Sequence, residues 1–295
     1  MDIGFLTAGL LTGLREGVEA ALIVSIILAY LVKTGNARHF GKIWLGSGAA
    51  IAVSIGVGVL LFVTIGGMEE PGEQIFEGLA MLLAAAVVTW MLFWMRRQAA
   101  SVRNELQQGV DRALSEGTLW GLTILAFTAV IREGIETALF LLGQVTAATQ
   151  ADAGAMPTLL GALVGILIAV VIGYGFYRGA RVLNLRTFFT WTGIALIFIA
   201  AGLLSHAVHE FIEVAEFYGI SLPLTATAFD ISAVLPHEEN VLGQLLRALF
   251  GYSSQPEWLT FLAWLAYLAV VLWMYTRPVS PIQVQARSET KVARA

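Results

Sequence analysis

Along the chain, long apolar runs alternate with short polar connections. Seven runs, at roughly 5–32, 41–66, 75–95, 118–147, 157–178, 187–212 and 258–276, are long enough to cross about 30 Å of hydrocarbon as helices. The pattern predicts an all-α, polytopic membrane protein. Two connections are more than turns. Residues 96–116 are polar with apolar positions at Val102, Leu106, Val110 and Leu114, which predicts a helix lying along the membrane surface. Residues 213–257 form the longest connection and hold a helical stretch near Val241 to Phe250.

Two of the seven runs carry charge at their centres. Leu14-Arg15-Glu16-Gly17-Val18-Glu19 has about twelve largely apolar residues before it and about thirteen after it, which puts it near the bilayer midplane. Ile131-Arg132-Glu133-Gly134-Ile135-Glu136 repeats it in the fourth run. On a helix, Glu16 and Glu19 share a face, and Arg15 can pair with Glu19 four residues on. Ionisable groups at this depth are rare, face a bundle interior or a wet cavity, and mark function.

The likeness between the halves extends beyond the motifs. Small residues recur every four positions in the second run (Gly46, Ala50, Ser54, Gly58) and in the fifth (Gly161, Gly165, Ala169, Gly173). Such stripes let helix backbones approach closely in lipid. Gly78-Leu79-Ala80 in the third run has a counterpart in Gly193-Ile194-Ala195 in the sixth, and the register between the halves stays between 115 and 117 residues. An odd number of crossings separates the motifs, so the halves are inverted, an architecture recurrent in secondary transporters. The expected organisation is a first three-helix repeat (1–97), a cytoplasmic connecting helix (98–117), a second repeat (118–212), an extracytoplasmic loop (213–257), a seventh transmembrane helix (258–276) and a cytoplasmic tail (277–295).

Composition agrees. The chain is 58% hydrophobic and 13% charged, about half the charge of a soluble domain. Basic residues orient it. Lys33, Arg38, Lys42, Arg96, Arg97, Arg103, Arg112, Arg178, Arg181, Arg186 and the four of the tail all fall on one side, fourteen of the 17. That side is cytoplasmic, so the N-terminus lies outside and the C-terminus inside. The first four residues lack a basic leader region, and the first run reads as retained. Thirteen of the 21 acids fall outside, where they either concentrate cations or are merely tolerated. There are no cysteines, so any metal site uses oxygen, imidazole or thioether donors. No nucleotide-binding fingerprint is present, no nucleic-acid partner is expected, and the lipid bilayer is the main surrounding.

If the halves pack as an inverted pair, Glu16, Glu19, Glu133 and Glu136 converge. Four carboxylates in a low-dielectric site cannot all ionise without compensation. Arg15 and Arg132 offset part of the charge, as partners and not ligands, since guanidinium only donates. A hard cation offsets more. The plainer alternative is a structural network in which each Arg neutralises its own Glu, but acid exceeds Arg two to one. A second cluster, His206, His209, Glu210 and Glu213, sits on one face at the outer end of the sixth run. It reads equally as a transition-metal donor set or as an interfacial polar stripe. Glu73, Glu77, Asp230, His237, Glu238 and Glu239 are candidates for an outer vestibule, or simply hydrated helix starts and turns.

With both Arg-Glu-Gly-x-Glu motifs in the first and fourth of seven spans, the sequence resembles the oxidase-dependent iron permease family, which includes fungal high-affinity iron permeases and bacterial ferrous-iron uptake permeases. Glu77-Gly78 and Leu246 to Tyr252 also look like family features. The resemblance covers essentially the whole chain. It implies inward transport of iron through the plasma membrane (the inner membrane of a bacterium), with Glu16, Glu19, Glu133 and Glu136 binding the iron. It also implies a separate extracytoplasmic protein that oxidises or delivers the iron. Iron is then a substrate, ferrous or ferric, and no permanently bound cofactor is expected. Two alternatives stay open: a permease for another cation such as manganese or lead, and a membrane-embedded di-metal oxidase. Against the oxidase, di-iron bundle enzymes pair Glu-x-x-His motifs with further Glu, and neither motif here contains His.

Overall fold

Asp2 starts the first helix. Its carboxylate accepts the Phe5 amide at 3.1 Å, satisfying one of the donors that a helix start leaves unpaired. Helix α1 then runs unbroken from Ile3 to Lys33. It stops at Thr34-Gly35, where Gly35 takes φ +74°, a conformation open to glycine at little cost. The computed structural model describes residues 2–65, 71–98, 102–115, 119–179, 184–236 and 240–277. Within them follow α2 (Phe40–Ile65), α3 (Gly72–Gln98), α4 (Val102–Ser115), α5 (Leu119–Gln150), α6 (Ala155–Tyr177), α7 (Leu185–Phe217), α8 (Val241–Phe250) and α9 (Trp258–Thr276). Among the described residues there is no strand, only a single β-bridge between Thr227 and Glu257.

Among the described residues, five helices are long and apolar enough to cross a membrane: α2, α3, α6, α7 and α9. Helices α1 and α5 are as long, at 31 and 32 residues, but each carries the three charges of its motif. The helices begin and end near the boundaries expected from the apolar runs. The largest difference is α7, which continues five residues past 212, to Phe217. It therefore carries His206 through Glu213 on one unbroken helix.

The helices pair in a regular way. Helix α1 packs along α6, α2 along α5, α3 along α7, and α1 crosses α5. Small residues bring the backbones together, as the stripes predict. A Cβ at Gly46 would strike the carbonyl of Thr123, and one at Gly161 would strike that of Leu6. A Cβ at Gly58 would touch Ala138, and one at Gly173 would overlap Ala21. In each pair of contacts the glycines are 115 residues apart and their neighbours 117 apart.

Two apolar clusters hold the bundle. One joins α3, α5, α7 and α9 around Met81, Val88, Phe140, Ile197 and Leu268. The other joins α1, α2, α4 and α5 around Ile27, Leu31, Ile43 and Leu122. The second corrects the expectation for α4. Leu106, Val110 and Ala113 are buried in that cluster, so the apolar face of α4 covers the ends of α1, α2 and α5 instead of lying on lipid. Asp111 fixes it further, accepting the Tyr30 hydroxyl at 2.8 Å. Helix α8 and the 218–236 and 251–257 stretches close the opposite end of the bundle. There Ala228, Ile231, Trp258 and Leu259 donate backbone hydrogen bonds between the 224–231 and 254–259 stretches.

Candidate functional site

The two motifs meet where α1 crosses α5. Arg15 and Glu16 are 2% and 1% exposed, in the middle of apolar helices, where an isolated charge would be costly. The chain compensates with ion pairs. Arg15 Nη1 donates to Glu16 Oε1 at 2.8 Å and Arg15 Nη2 lies 3.4 Å from Glu19 Oε1. The second motif pairs in the same order: Arg132 Nη2 lies 3.4 Å from Glu133 Oε1, and Arg132 Nε donates to Glu136 Oε1 at 3.1 Å.

Those pairs leave acid over. Glu16, Glu19 and Glu133 can each point a carboxylate oxygen so that the three lie within 4.8 Å of one another. Among the described residues no other group of three or more His, Asp or Glu is gathered so closely. Glu136 stands beside this triad, one helical turn past Glu133, held by Arg132. Each of the four carboxylates keeps at least one buried oxygen without a hydrogen-bond donor. Buried acceptors are normally satisfied. Clustered carboxylate oxygens with lone pairs to spare are the donor set of a hard cation.

The surroundings of the arginines could not be read from the motifs. Helix α3 supplies both. Met91 and Met95 sulfurs accept from Arg15 Nη1 and Nη2 at 3.5 Å each. Trp94, between them in sequence, lies under Arg132, whose Cζ is 3.8 Å from the ring centroid. The ring offers its face to the guanidinium, a cation–π contact. Gly17 and Gly134 are packing points: a Cβ on Gly17 would meet Ala169 of α6, and one on Gly134 would meet Ser54 of α2.

Toward the α8 end, a cavity of about 780 Å³ opens between α3, α5, α7, α8 and the 251–261 stretch. His206, His209, Glu210, Glu213, Glu73 and Glu77 all line it. They do not come together as one metal site. His206 Nδ1 is held at 2.9 Å by the Gly202 carbonyl of its own helix. His209 reaches Glu213 at 3.4 Å and Glu257 at 3.3 Å. Glu210 and Glu77 share one donor, since Gln150 Nε2 donates to Glu77 Oε2 at 2.9 Å and also to Glu210 Oε1. Asp230 is not part of the cavity lining. It closes a turn, accepting the Ser232 hydroxyl, the Ser232 amide and Gln255 Nε2 at 2.6, 2.9 and 2.9 Å, and these bonds hold its carboxyl below the usual range. His237, Glu238 and Glu239 lie outside the described residues. Glu257 and Gln150 are lining residues that the sequence did not single out.

The family model described as iron permease FTR1 family matches residues 6–277. The chain is 40% identical over 267 residues to the ferrous iron permease EfeU of Escherichia coli O6:H1, covering 90% of this chain and 93% of that protein. EfeU of Shigella sonnei is matched at the same identity and coverage. EfeU of Yersinia pestis is 35% identical over 266 residues, covering 90% of this chain and 91% of that protein. No solved structure matches the chain. The relatives are named as permeases and five helices can each cross a membrane, so this is a multi-pass membrane protein and a transporter in class.

Proposed function

The chain belongs to the iron permease FTR1 family, and on that premise we propose that it imports iron across the bacterial inner membrane through a carboxylate site at the crossing of α1 and α5. The observation that carries the reading is the meeting of Glu16, Glu19 and Glu133 oxygens within 4.8 Å, each side chain with an unpartnered oxygen. Glu136 completes the site, and Arg15 and Arg132 hold the carboxylates in place while leaving a net negative charge. That net charge favours a multivalent cation.

In this reading α1–α3 and α5–α7 are inverted repeats and α9 is an added span. The swapped packing of α1 on α6 and α2 on α5 supports it, as do the matched glycine contacts around Gly46 and Gly161 and around Gly58 and Gly173. The charge bias of the connections puts α4 in the cytoplasm and the large cavity outside. Iron gathers at the acidic cavity, descends to the four glutamates and leaves on the α4 side. An extracytoplasmic protein that oxidises or delivers iron completes the system.

The test is uptake of radioactive iron into proteoliposomes that contain only this protein, with ferrous and ferric iron offered separately and manganese as competitor. Selective uptake of iron is the expected result. Uptake of manganese in preference to iron would contradict it. Metal-dependent oxygen consumption without net uptake would point to an oxidase instead.

A further inference from the structure

We infer that Gln144, together with Thr12, forms a second ion-binding station between the large cavity and the four glutamates. A divalent cation that has lost part of its water would meet a neutral oxygen ligand there. The inference rests on the permease reading above and adds a site to it.

Gln144 lies on α5 and is 3% exposed. Its Nε2 donates to Thr12 Oγ1 on α1 at 2.7 Å, a bond between the same two helices that carry the motifs. Its Oε1 is buried with no hydrogen-bond partner. Such an orphaned acceptor in a native interior calls for an explanation. Amide carbonyl oxygens are ordinary ligands of hard cations, and an ion in transit would satisfy this one.

The position fits a path. Gln144 lines a narrow cleft with Phe5, Leu203, His206 and Arg247. His206 and Arg247 also line the large cavity, so the two spaces share a wall. In the other direction, Thr12 stands one helical turn before Glu16 on the same face of α1. On α5, Gln144 stands eight residues past Glu136, again on one face. Leaving the cavity for the carboxylates, an ion meets Phe5 and Leu203, which offer no ligand, and the Gln144–Thr12 pair, which does.

Neutral oxygen is suited to a step before a charged site. Conduction needs binding favourable enough to admit an ion and weak enough to release it. The amide can replace part of the hydration shell without trapping the ion, and the glutamates below draw it on.

The test compares Thr12→Val/Gln144→Leu, Gln144→Glu and Glu16→Gln with the unaltered chain. Removing both partners of the hydrogen bond together leaves no new buried group unpaired, so the double variant should melt as the unaltered protein does. Purified in detergent, where both faces are open, it should bind radioactive ferrous iron at equilibrium within about twofold of the unaltered protein, while its uptake into proteoliposomes falls about tenfold or more. Gln144→Glu should lower both the half-saturating concentration and the maximal rate, because a carboxylate holds the ion longer.

If uptake by the double variant stays near normal while Glu16→Gln abolishes it, the pair is only a structural bond and the station is wrong. Loss of binding and uptake together, in a folded double variant, would also overturn a separate station. Should the double variant not fold, unchanged half-saturation and rate in Gln144→Glu would overturn it. Normal uptake by Glu16→Gln would sink the permease site itself, not this addition to it.

Discussion

Arg15 and Arg132 stand at the same position of the two motifs, 117 residues apart, in unequal surroundings. The Arg15 side chain is 2% exposed and sits on two thioethers, whereas that of Arg132 is 36% exposed and stacks on Trp94. Removing one partner of a fully buried ion pair strands the other, at a cost of about 3–5 kcal/mol. Glu133 and Glu136 are buried too, but the open side of Arg132 lets its site relax when the guanidinium is lost, so the cost there is smaller. Arg15→Gln should therefore lower the melting temperature in detergent far more than Arg132→Gln. Equal effects would contradict the asymmetry.

The two motif glycines predict a pair of rescues. Gly134→Ala drives a Cβ into Ser54, and Gly17→Ala drives one to 2.7 Å from the Ala169 Cβ. Overpacking of this kind costs about 1–3 kcal/mol. Adding Ser54→Gly should restore the first variant, and Ala169→Gly the second, as read by thermal unfolding. The crossed pairing, Gly134→Ala with Ala169→Gly, should show no rescue.

Gln150 bridges two acids of the large cavity, since its Nε2 donates to both Glu77 and Glu210. Gln150→Leu leaves those carboxylates facing each other without it. If the cavity collects the ion, this variant should change the half-saturating concentration of iron uptake by about three- to tenfold and leave the maximal rate nearly unchanged. A fall in maximal rate alone would place Gln150 in the transport step instead.

Much of this arrangement could be read before any coordinates. The helices follow from apolar runs bounded by caps and turns; Val241–Phe250 matches its expected stretch, with Asn240 capping its start and Gly251 at φ +67° ending it. The four-residue stripes announced close helix contacts, and the intrahelical pairs Arg15–Glu19 and Arg132–Glu136 followed from spacing. What was not legible involves partners distant in sequence. Met91, Trp94 and Met95 have the periodicity of any apolar helix face, and nothing local ties them to Arg15 or Arg132, 38 to 80 residues away. Gln144 and Thr12 are polar residues in apolar helices with no motif of their own, and only the packing of α1 against α5 brings them together. For α4 the amphipathic pattern was right and its neighbour was not, because an apolar stripe fits protein and lipid equally well.

On the proposed function, the motif carboxylates carry the ion. The most direct test of this is ferrous-iron uptake by Glu16→Gln, Glu19→Gln, Glu133→Gln and Glu136→Gln, each reconstituted alone in proteoliposomes after melting in detergent confirms the fold. The isosteric change removes charge and an ion ligand while keeping shape. The account predicts that each variant loses uptake by about a hundredfold or more. Uptake at the unaltered rate in all four would contradict it.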